Sequence, residues 1–438
     1  MATLKHVKYM IIIALSFLPY LELYAQNTLS LSDALRLGEQ NNLSLKINDQ
    51  KTNLAKQDLN KSRGIFLPQI NLSHTAIGTT NPLMAFGSKL NQEILTQQDF
   101  NPSLLNDPEY IRDYSTRISI KQPLINVDGV YQRQAAKLMV DYQTKRNTFS
   151  KKHIRLEIKK AYMQLQVAIQ QVTVLQQAEK TALENLKYAT DYLKQGYLHK
   201  SDYLDIEVRV DDVKHQLQSA HSNVLNASNY LSVLLNLDSY EQIIPSDKLQ
   251  PELINEDSTY ILSNTREDIE AMKIGQKAQH NLHKANKMQF LPRLNVFGNL
   301  ELHDDQIFGT KAKGYLIGAQ LSWDIFKGGE QWTNIQKSKI ELDKTALGIE
   351  QYEQQSQLEI NKTQRALRDA KHHLILSQKS VIQSKEALKI RSDRFKHGLE
   401  KTTDLLMAET KYAQRQLEHL NTIYNYNYTL AYLKLLTH

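Results

Sequence analysis

Apolar positions along this chain follow two periods, and the switch from one to the other happens twice in the same order. Helical spacing begins at Ser32-Asp33, with Ser32 as N-cap, and runs through Ala34, Leu35, Leu45, Ala55 and Leu59 toward Phe66, where Pro68 ends it. Period two then takes over. Ile70, Leu72 and Ala76 alternate with Asn71, Ser73 and Thr75, and later Ile118 and Ile120 alternate with Ser119 and Lys121 up to Pro123. Such alternation predicts two strands, each with one apolar face. The second half repeats the change, with a helix from Arg266 to Phe290, a break at Pro292, a strand through Leu294, Val296, Leu300 and Leu302, and another through Ile317, Ala319, Leu321, Trp323 and Ile325. After each strand pair comes an unbroken polar helical stretch, Gly129 to Tyr192 and Gly329 to Phe395, then a glycine turn and a last helix, Asp202 to Leu237 and Thr403 to Leu436.

Sequence identities at the switch points show that the two halves are one unit written twice. The run Phe66-Leu67-Pro68 returns as Phe290-Leu291-Pro292, an offset of 292 − 68 = 224. Gly196, Asp202 and Glu207 return as Gly398, Asp404 and Glu409 at an offset of 202, and Pro123-Leu124-Ile125 aligns with Asp324-Ile325-Phe326 at 324 − 123 = 201, each followed by glycine (Gly129; Gly328 and Gly329). The fall from 224 to 201 places an insertion of 23 residues between Pro68 and Pro123. A period of about two hundred residues implies duplication of a whole fold unit, not a solenoid. The organisation expected is a leader over 1–25, a first repeat over 26–237, a linker over 238–265 that carries Pro245 and Pro251, and a second repeat over 266–438.

Each very long helix, of about 65 residues, reaches close to 100 Å at about 1.5 Å per residue, too long to stand alone in water. In the first half the leading and trailing helices, about 34 and about 36 residues, together match it, so stacked end to end they line its whole side in an antiparallel layer. Ala161, Leu165, Ala168, Val172, Leu175, Ala182, Leu186 and Ala189 recur at spacings of three, four and seven, a narrow seam like that of a coiled coil. The expected product is a thin helical wall. Four amphipathic strands are too few to close a barrel, and an open sheet of four exposes an apolar face and two edges. Three copies supply twelve strands, each about the length of a tilted membrane crossing. The loops Gly78 to Tyr114 and His303 to Gly314 then face outward, with Trp323, Phe326, Tyr315, Phe297 and Phe308 near strand ends where an aromatic girdle belongs.

Composition narrows the class. Lys5, His6 and Lys8, the apolar stretch Met10 to Leu18 and the small Ala25 read as an export signal, too short for a spanning helix. There is no cysteine, which excludes disulfides, thiolate metal sites and a lipid-modified N-terminal cysteine. The formal charge of +7 comes from Lys and Arg interleaved with Glu, Asp and Gln along helices, a solvated face and not a nucleic-acid footprint. Gly-x-Ser-x-Gly, His-Glu-x-x-His and phosphate-cradling loops are absent. His280 with His283, and His372 with His373, sit on polar helices without carboxylate partners and read as surface histidines, so neither metal nor cofactor is expected.

The doubled helix-proline-strand plan, the opening LSLSDALRLGEQNN (29–42) and RFKHGLEKTTDLLMAE (394–409) resemble the TolC outer-membrane efflux family over essentially the whole mature chain. The resemblance implies a mixed α and β membrane protein. Its homotrimer closes a twelve-stranded β-barrel in outer-membrane lipid and continues across the periplasm as an α-helical barrel. It also implies a passive exit duct for a tripartite efflux or type I secretion system, working with a periplasmic adaptor and an inner-membrane pump or ABC transporter, and without enzyme activity. The competing class is a periplasmic coiled-coil scaffold. Pro68, Pro123, Pro292, Gly328 and Gly329 become the helix-to-strand junctions. Each long helix is expected to turn at Gly196 or Gly398, where glycine takes the left-handed conformation, with Ser201, Thr402 and Thr403 as caps of the returning helices. Asp404 resembles the family position that lines the periplasmic gate as an acidic ring, while Met407 stands one turn later where some members carry a second acid. Gly398 completes that gate set. The tips, with Gly196, Tyr197, Leu198 and Asp202 on one and Leu399, Glu400, Lys401 and Thr403 on the other, are by resemblance where the adaptor docks, and Tyr197, Leu198 and Leu399 are expected to be exposed. Asp202 also suits the first turn of a helix simply as a carboxylate near the positive dipole end.

Overall fold

The computed structural model describes residues 28–237, 242–253 and 260–437; the leader read over 1–25 and parts of the linker lie outside the described residues. The first half comprises β1 (Thr28–Leu29), α1 (Leu31–Asn41), α2 (Leu43–Lys61), β2 (Gln69–Thr79), α3 (Pro82–Asn91), α4 (Pro102–Asn106), β3 (Ile111–Ile125), α5 (Val127–Lys194) and α6 (Lys200–Leu235). After β4 (Ile244–Pro245) come α7 (Glu267–Met288), β5 (Arg293–Asp304), β6 (Ala312–Ser322), α8 (Glu330–Lys396) and α9 (Thr402–Thr437). Both halves therefore run helix, strand, strand, very long helix, helix.

The four long strands form one antiparallel sheet in the order β2-β3-β5-β6, so the central pair joins the two halves and β2 and β6 are left as edges. Register sorts the side chains by face. Leu72, Ile118, Leu300 and Tyr315 stand opposite one another across all four strands, and Ile70, Ile120, Gly298 and Ile317 form the next row. The other face carries Asn71, Ser119 and Asn299 in one row and Ser73, Arg117 and Glu301 in the next, with Arg117 paired to Glu301 at 2.7 Å. Phe297 and Leu316 and, at its outer end, Ile77, Ile111 and Ala312 are apolar exceptions on it. β3 continues past Pro123 to Ile125 through a bulge, at a point where β2 has ended and β5 is its one neighbour in the sheet. β6 stops at Ser322, so Trp323 and Ile325, expected within it, lie just beyond; the Trp323 indole N–H instead donates to the Phe290 carbonyl at 2.8 Å.

The chain divides into two compact units, each drawing on both halves. One contains the described residues up to Leu43, the stretch that begins at His153, and Thr363–Leu433. Its core joins Ala34 to Ile158, Leu165, Leu231 and Leu235, and the Tyr162 hydroxyl donates to the Leu29 carbonyl at 2.8 Å. The expected α5 seam is buried at Ala161, Leu165, Ala168, Leu175, Ala182 and Ala189. At Gly38 a Cβ would stand 2.1 Å from the Ile158 Cδ1, so this glycine serves close approach between α1 and α5. The other unit contains the sheet, Ser44–Lys152, the stretch up to Lys362 that carries α7, and the chain from Lys434. There Arg266 is fully buried over a bidentate Asp268, a Ser356 hydroxyl and the Leu436 carbonyl.

Three helix starts differ from the reading of the sequence. The leading helix is split at Asn42, which leaves helical geometry and donates its side-chain amide to the Leu234 carbonyl at 2.8 Å; Ser30, not Ser32, caps α1 by accepting the Asp33 N–H. Ser201, Thr402 and Thr403 lie inside first turns and not at the cap positions, because α6 and α9 begin at Lys200 and Thr402. The end-to-end stacking is visible in both halves: the Leu234 carbonyl is held by Asn42 and the Leu436 carbonyl by Arg266, and 436 − 234 = 202, the offset of the turns.

Candidate functional site

Duplication is clearest where the long helices turn. Gly196 and Gly398 have φ of 77° and 70°. In each, the glycine N–H returns to the carbonyl three residues back (Leu193, Phe395), and the next N–H, of Tyr197 or Leu399, returns to the carbonyl five back (Tyr192, Arg394) at 2.9 Å. This Schellman closure satisfies the last carbonyls of a helix and requires a left-handed residue that only glycine supplies without strain. Below the turns Ala189, Ile206, Phe395 and Leu405 form one buried cluster, and the Tyr192 hydroxyl donates to the Lys396 carbonyl at 2.6 Å.

The two tips differ in chemistry. At the second, Glu400 accepts from Arg391 and Arg394 at 2.7 Å each, and Arg394 also donates to the Leu399 carbonyl at 3.0 Å. The Arg394 hydrogen bond and both guanidinium charges hold the Glu400 carboxyl below its usual range. The same Arg391 stands 3.6 Å from Asp404. Asp404 is thus half of an ion pair in the protomer, not a bare carboxylate, and Met407 beside it is 64% exposed. Together they line a cleft of about 420 Å³ with Ser384, Lys411 and Arg415. Tyr197 and Leu399 are 78% and 67% exposed, as expected. Leu198 is not: it packs against the buried cluster, which leaves one apolar side chain per tip in solvent. Lys401 and Thr403 are exposed, and Asp202 sits half-buried in the first turn of α6.

One buried group escaped the sequence reading of function. Glu409, 6% exposed on α9, accepts from the Asn185 amide of α5, itself 2% exposed. Burial pushes its pKa up to about 7, against the pull of Arg209 on α6, whose Nε is buried without a partner. The constant offset that matched Glu207 to Glu409 marked the position, but Glu207 is exposed, so only the fold distinguishes them. Arg391 and Arg394 were legible as an i, i+3 pair just before the turn, with Glu400 just after it.

At the junctions, Pro68 and Pro292 precede β2 and β5, and Gly328 and Gly329 both take positive φ before α8. Gly129, their counterpart, is helical, and its place is fixed by the Ile65 side chain 2.3 Å from where a Cβ would be. Arg293 at the start of β5 reaches across to Asp128 in the first turn of α5 at 2.8 Å, joining one junction to the other. Of the histidines, His280, His372 and His373 are exposed, whereas His283 is buried, bonded to the Ser338 hydroxyl at 2.8 Å and lowered in pKa by burial. Among the described residues no cluster suits a metal ion, and no helix is long and apolar enough to cross a membrane.

The sequence profile of the family described as outer membrane efflux protein matches residues 34–237 and 260–437. In fold the chain is similar to the CmeC outer membrane channel of Campylobacter jejuni (TM-score 0.80, 18% identity, 93% of this chain and 85% of that one). It is similar also to VceC of Vibrio cholerae (0.74, 15%, 93% and 96%) and to the open state of the MtrE channel of Neisseria gonorrhoeae (0.75, 17%, 93% and 88%). No curated relative matches the chain in sequence.

Proposed function

The chain belongs to the outer membrane efflux protein family, an outer-membrane channel component that extends into the periplasm, and from that premise we propose that three copies form its closed duct. The observation that carries the trimer is the sheet: an apolar face continuous over four strands, with β2 and β6 both unpaired at its edges. Twelve strands from three copies remove every edge and turn the apolar rows toward lipid, leaving the Asn71, Ser119 and Arg117 face on the aqueous side. Two repeats, 26–237 and 266–438, each contribute one strand pair and one helical hairpin, with 238–265 between them; the two stretches matched by the family support that division.

In this reading the turns at Gly196 and Gly398 are the periplasmic tips. Tyr197 and Leu399, with Gly196, Asp202, Lys401 and Thr403 around them, form the surface for the hairpins of a periplasmic adaptor, which links the duct to an inner-membrane pump or ABC transporter. Leu198 and Glu400 hold the tips in shape rather than touch the partner. Gly398, Asp404 and Met407 belong to the gate, and opening is a shift between two packed states of the helix pairs. The duct has no chemistry of its own and needs no cofactor; energy comes from the pump.

Single-channel recording in planar bilayers of protein extracted from outer membranes tests this, alongside crosslinking for copy number. Stepwise conductance from a trimer, altered in Asp404→Ala, is the expected result. Soluble protein without conductance points instead to a periplasmic coiled-coil scaffold.

A further inference from the structure

The insertion that breaks the repeat is folded, and it leans on one side of the sheet. In the second half β5 and β6 are joined by a short loop, while in the first half residues 80–110 carry α3, a 3₁₀ turn and α4. Asn81 caps α3 by accepting the Met84 N–H, Thr96 and Asp99 form a reciprocal capping box, and Lys89 pairs with Asp99 at 2.8 Å. Phe86 meets Phe100 edge to face at 5.7 Å. This is a folded element with its own internal contacts.

Its attachment is on the polar face. Gln92, at the C-terminus of α3 and 3% exposed, donates to the Arg112 carbonyl at 2.7 Å and to the Asp113 carboxylate at 3.2 Å. Asp113 in turn bonds to the His303 Nδ1 at 3.1 Å, and the His303 Nε2 lies 3.7 Å from Glu301, the partner of Arg117. Asp113, Arg117, Glu301 and His303 all project from the face that bears Ser119 and Asn299. Burial along that face is graded: Ile111, Asp113, His303 and Ala312 are buried, Ser115 is half-buried and Arg117 is exposed. The outer end of the polar face is covered, whereas its middle is covered only in part, with Ser119, Asn299 and Glu301 half-buried and Arg117 exposed. The matching buried positions on the insertion are Ala85, Ser88 and Gln92, one side of α3.

We propose that residues 80–110 form a lid over the outer mouth of the duct, latched to the pore-facing side of the sheet through Gln92, Asp113 and His303, and that it limits the size of solute that passes the extracellular end independently of the periplasmic tips. The inference rests on the trimeric duct reading, which makes the polar face the pore side. Three lids then narrow the mouth together. The latch is built from neutral and single-charge hydrogen bonds at the rim, which open without disturbing the barrel ladder below.

The test exploits the absence of cysteine. Full-length trimers carrying Ser115→Cys, a single thiol on the polar face beneath the lid, are treated from outside with maleimides of increasing size. The same is done with Gln92→Ala added, and with residues 81–109 replaced by a short glycine-serine link. In parallel, polyethylene glycols of graded size on the extracellular side are scored for their effect on single-channel conductance. The expected result is that bulky reagents label Ser115→Cys several-fold faster, and larger polymers enter, in both altered proteins. Equal labelling and an unchanged polymer cutoff in the replacement overturn the lid. A change in the replacement but not in Gln92→Ala overturns the latch. Absence of conductance in every protein, including the parent, is failure of the duct reading itself and is recognised as such.

Discussion

At the residue scale, function rests on positions where one atom more or one charge fewer changes the outcome. Gly196 and Gly398 are left-handed with open space around them, so alanine there meets no clash, only the backbone cost of about 1–2 kcal/mol. Each Gly→Ala change is expected to lower the unfolding midpoint of the detergent-solubilised protein. An unchanged midpoint in both would show that the turns relax to another geometry. Glu409 supplies a pH dependence. Its carboxyl titrates near pH 4.5 when unfolded and at about 7 when folded, first because burial disfavours the charge. Below pH 4.5 both states are protonated and there is no penalty. As pH rises from 4.5 to 7 the unfolded chain gives up its proton and the folded chain keeps it, so stability falls, by on the order of 3 kcal/mol in full above pH 7. Glu409→Gln is expected to flatten that slope in thermal unfolding between pH 4.5 and 8, and parallel curves for the two proteins would rule the assignment out.

These residues were unequally legible. A glycine at a helix end announces its own conformation, which is why both turns could be read from the sequence. Exposure at a turn is set by which way one side chain leans, so Tyr197 and Leu198 could not be separated from sequence alone: Leu198 turns inward where Tyr197 does not. Asp404 was readable as an acid near the turn, but its pairing depends on Arg391, thirteen residues earlier and adjacent only after the chain reverses.

At the element scale, the period of the hydrophobic pattern located every long helix and strand, because a 3.6-residue or two-residue repeat survives over many positions. It missed the break at Asn42, where helical spacing continues on both sides and the Asn42 side chain reaches the Leu234 carbonyl, a tertiary contact that no local period encodes. It also left the insertion without structure, since α3 and α4 are short and are held by caps and a few polar contacts. Packing between elements is tight enough to test. A Cβ on Gly38 overlaps the Ile158 side chain, so Gly38→Ala is expected to destabilise the protein, and Ile158→Ala, costly alone at about 2–5 kcal/mol, is expected to cost less in the Gly38→Ala background. Additive effects in the double-mutant cycle would mean that α1 moves away from α5 instead of clashing with it.

At the scale of the whole molecule the decisive feature is a sheet that is finished on neither face nor edge. Leu72 and Ser73 are neighbours in β2 and point to opposite sides, one in the apolar row with Ile118 and Leu300, the other in the polar row with Arg117 and Glu301. If the apolar rows meet lipid, an arginine at 72 places a charge in hydrocarbon at about 2–4 kcal/mol per copy near the midplane, and a trimer incurs that cost three times over. The same arginine at 73 stays in water, directly opposite Arg117, whose charge Glu301 balances at 2.7 Å. Leu72→Arg is therefore expected to reduce the amount of assembled trimer recovered from outer membranes, and Ser73→Arg to leave it near the parent level. The contrast between adjacent positions matters more than either result, because general damage to β2 affects both, and only a barrel with lipid on one side and water on the other separates them.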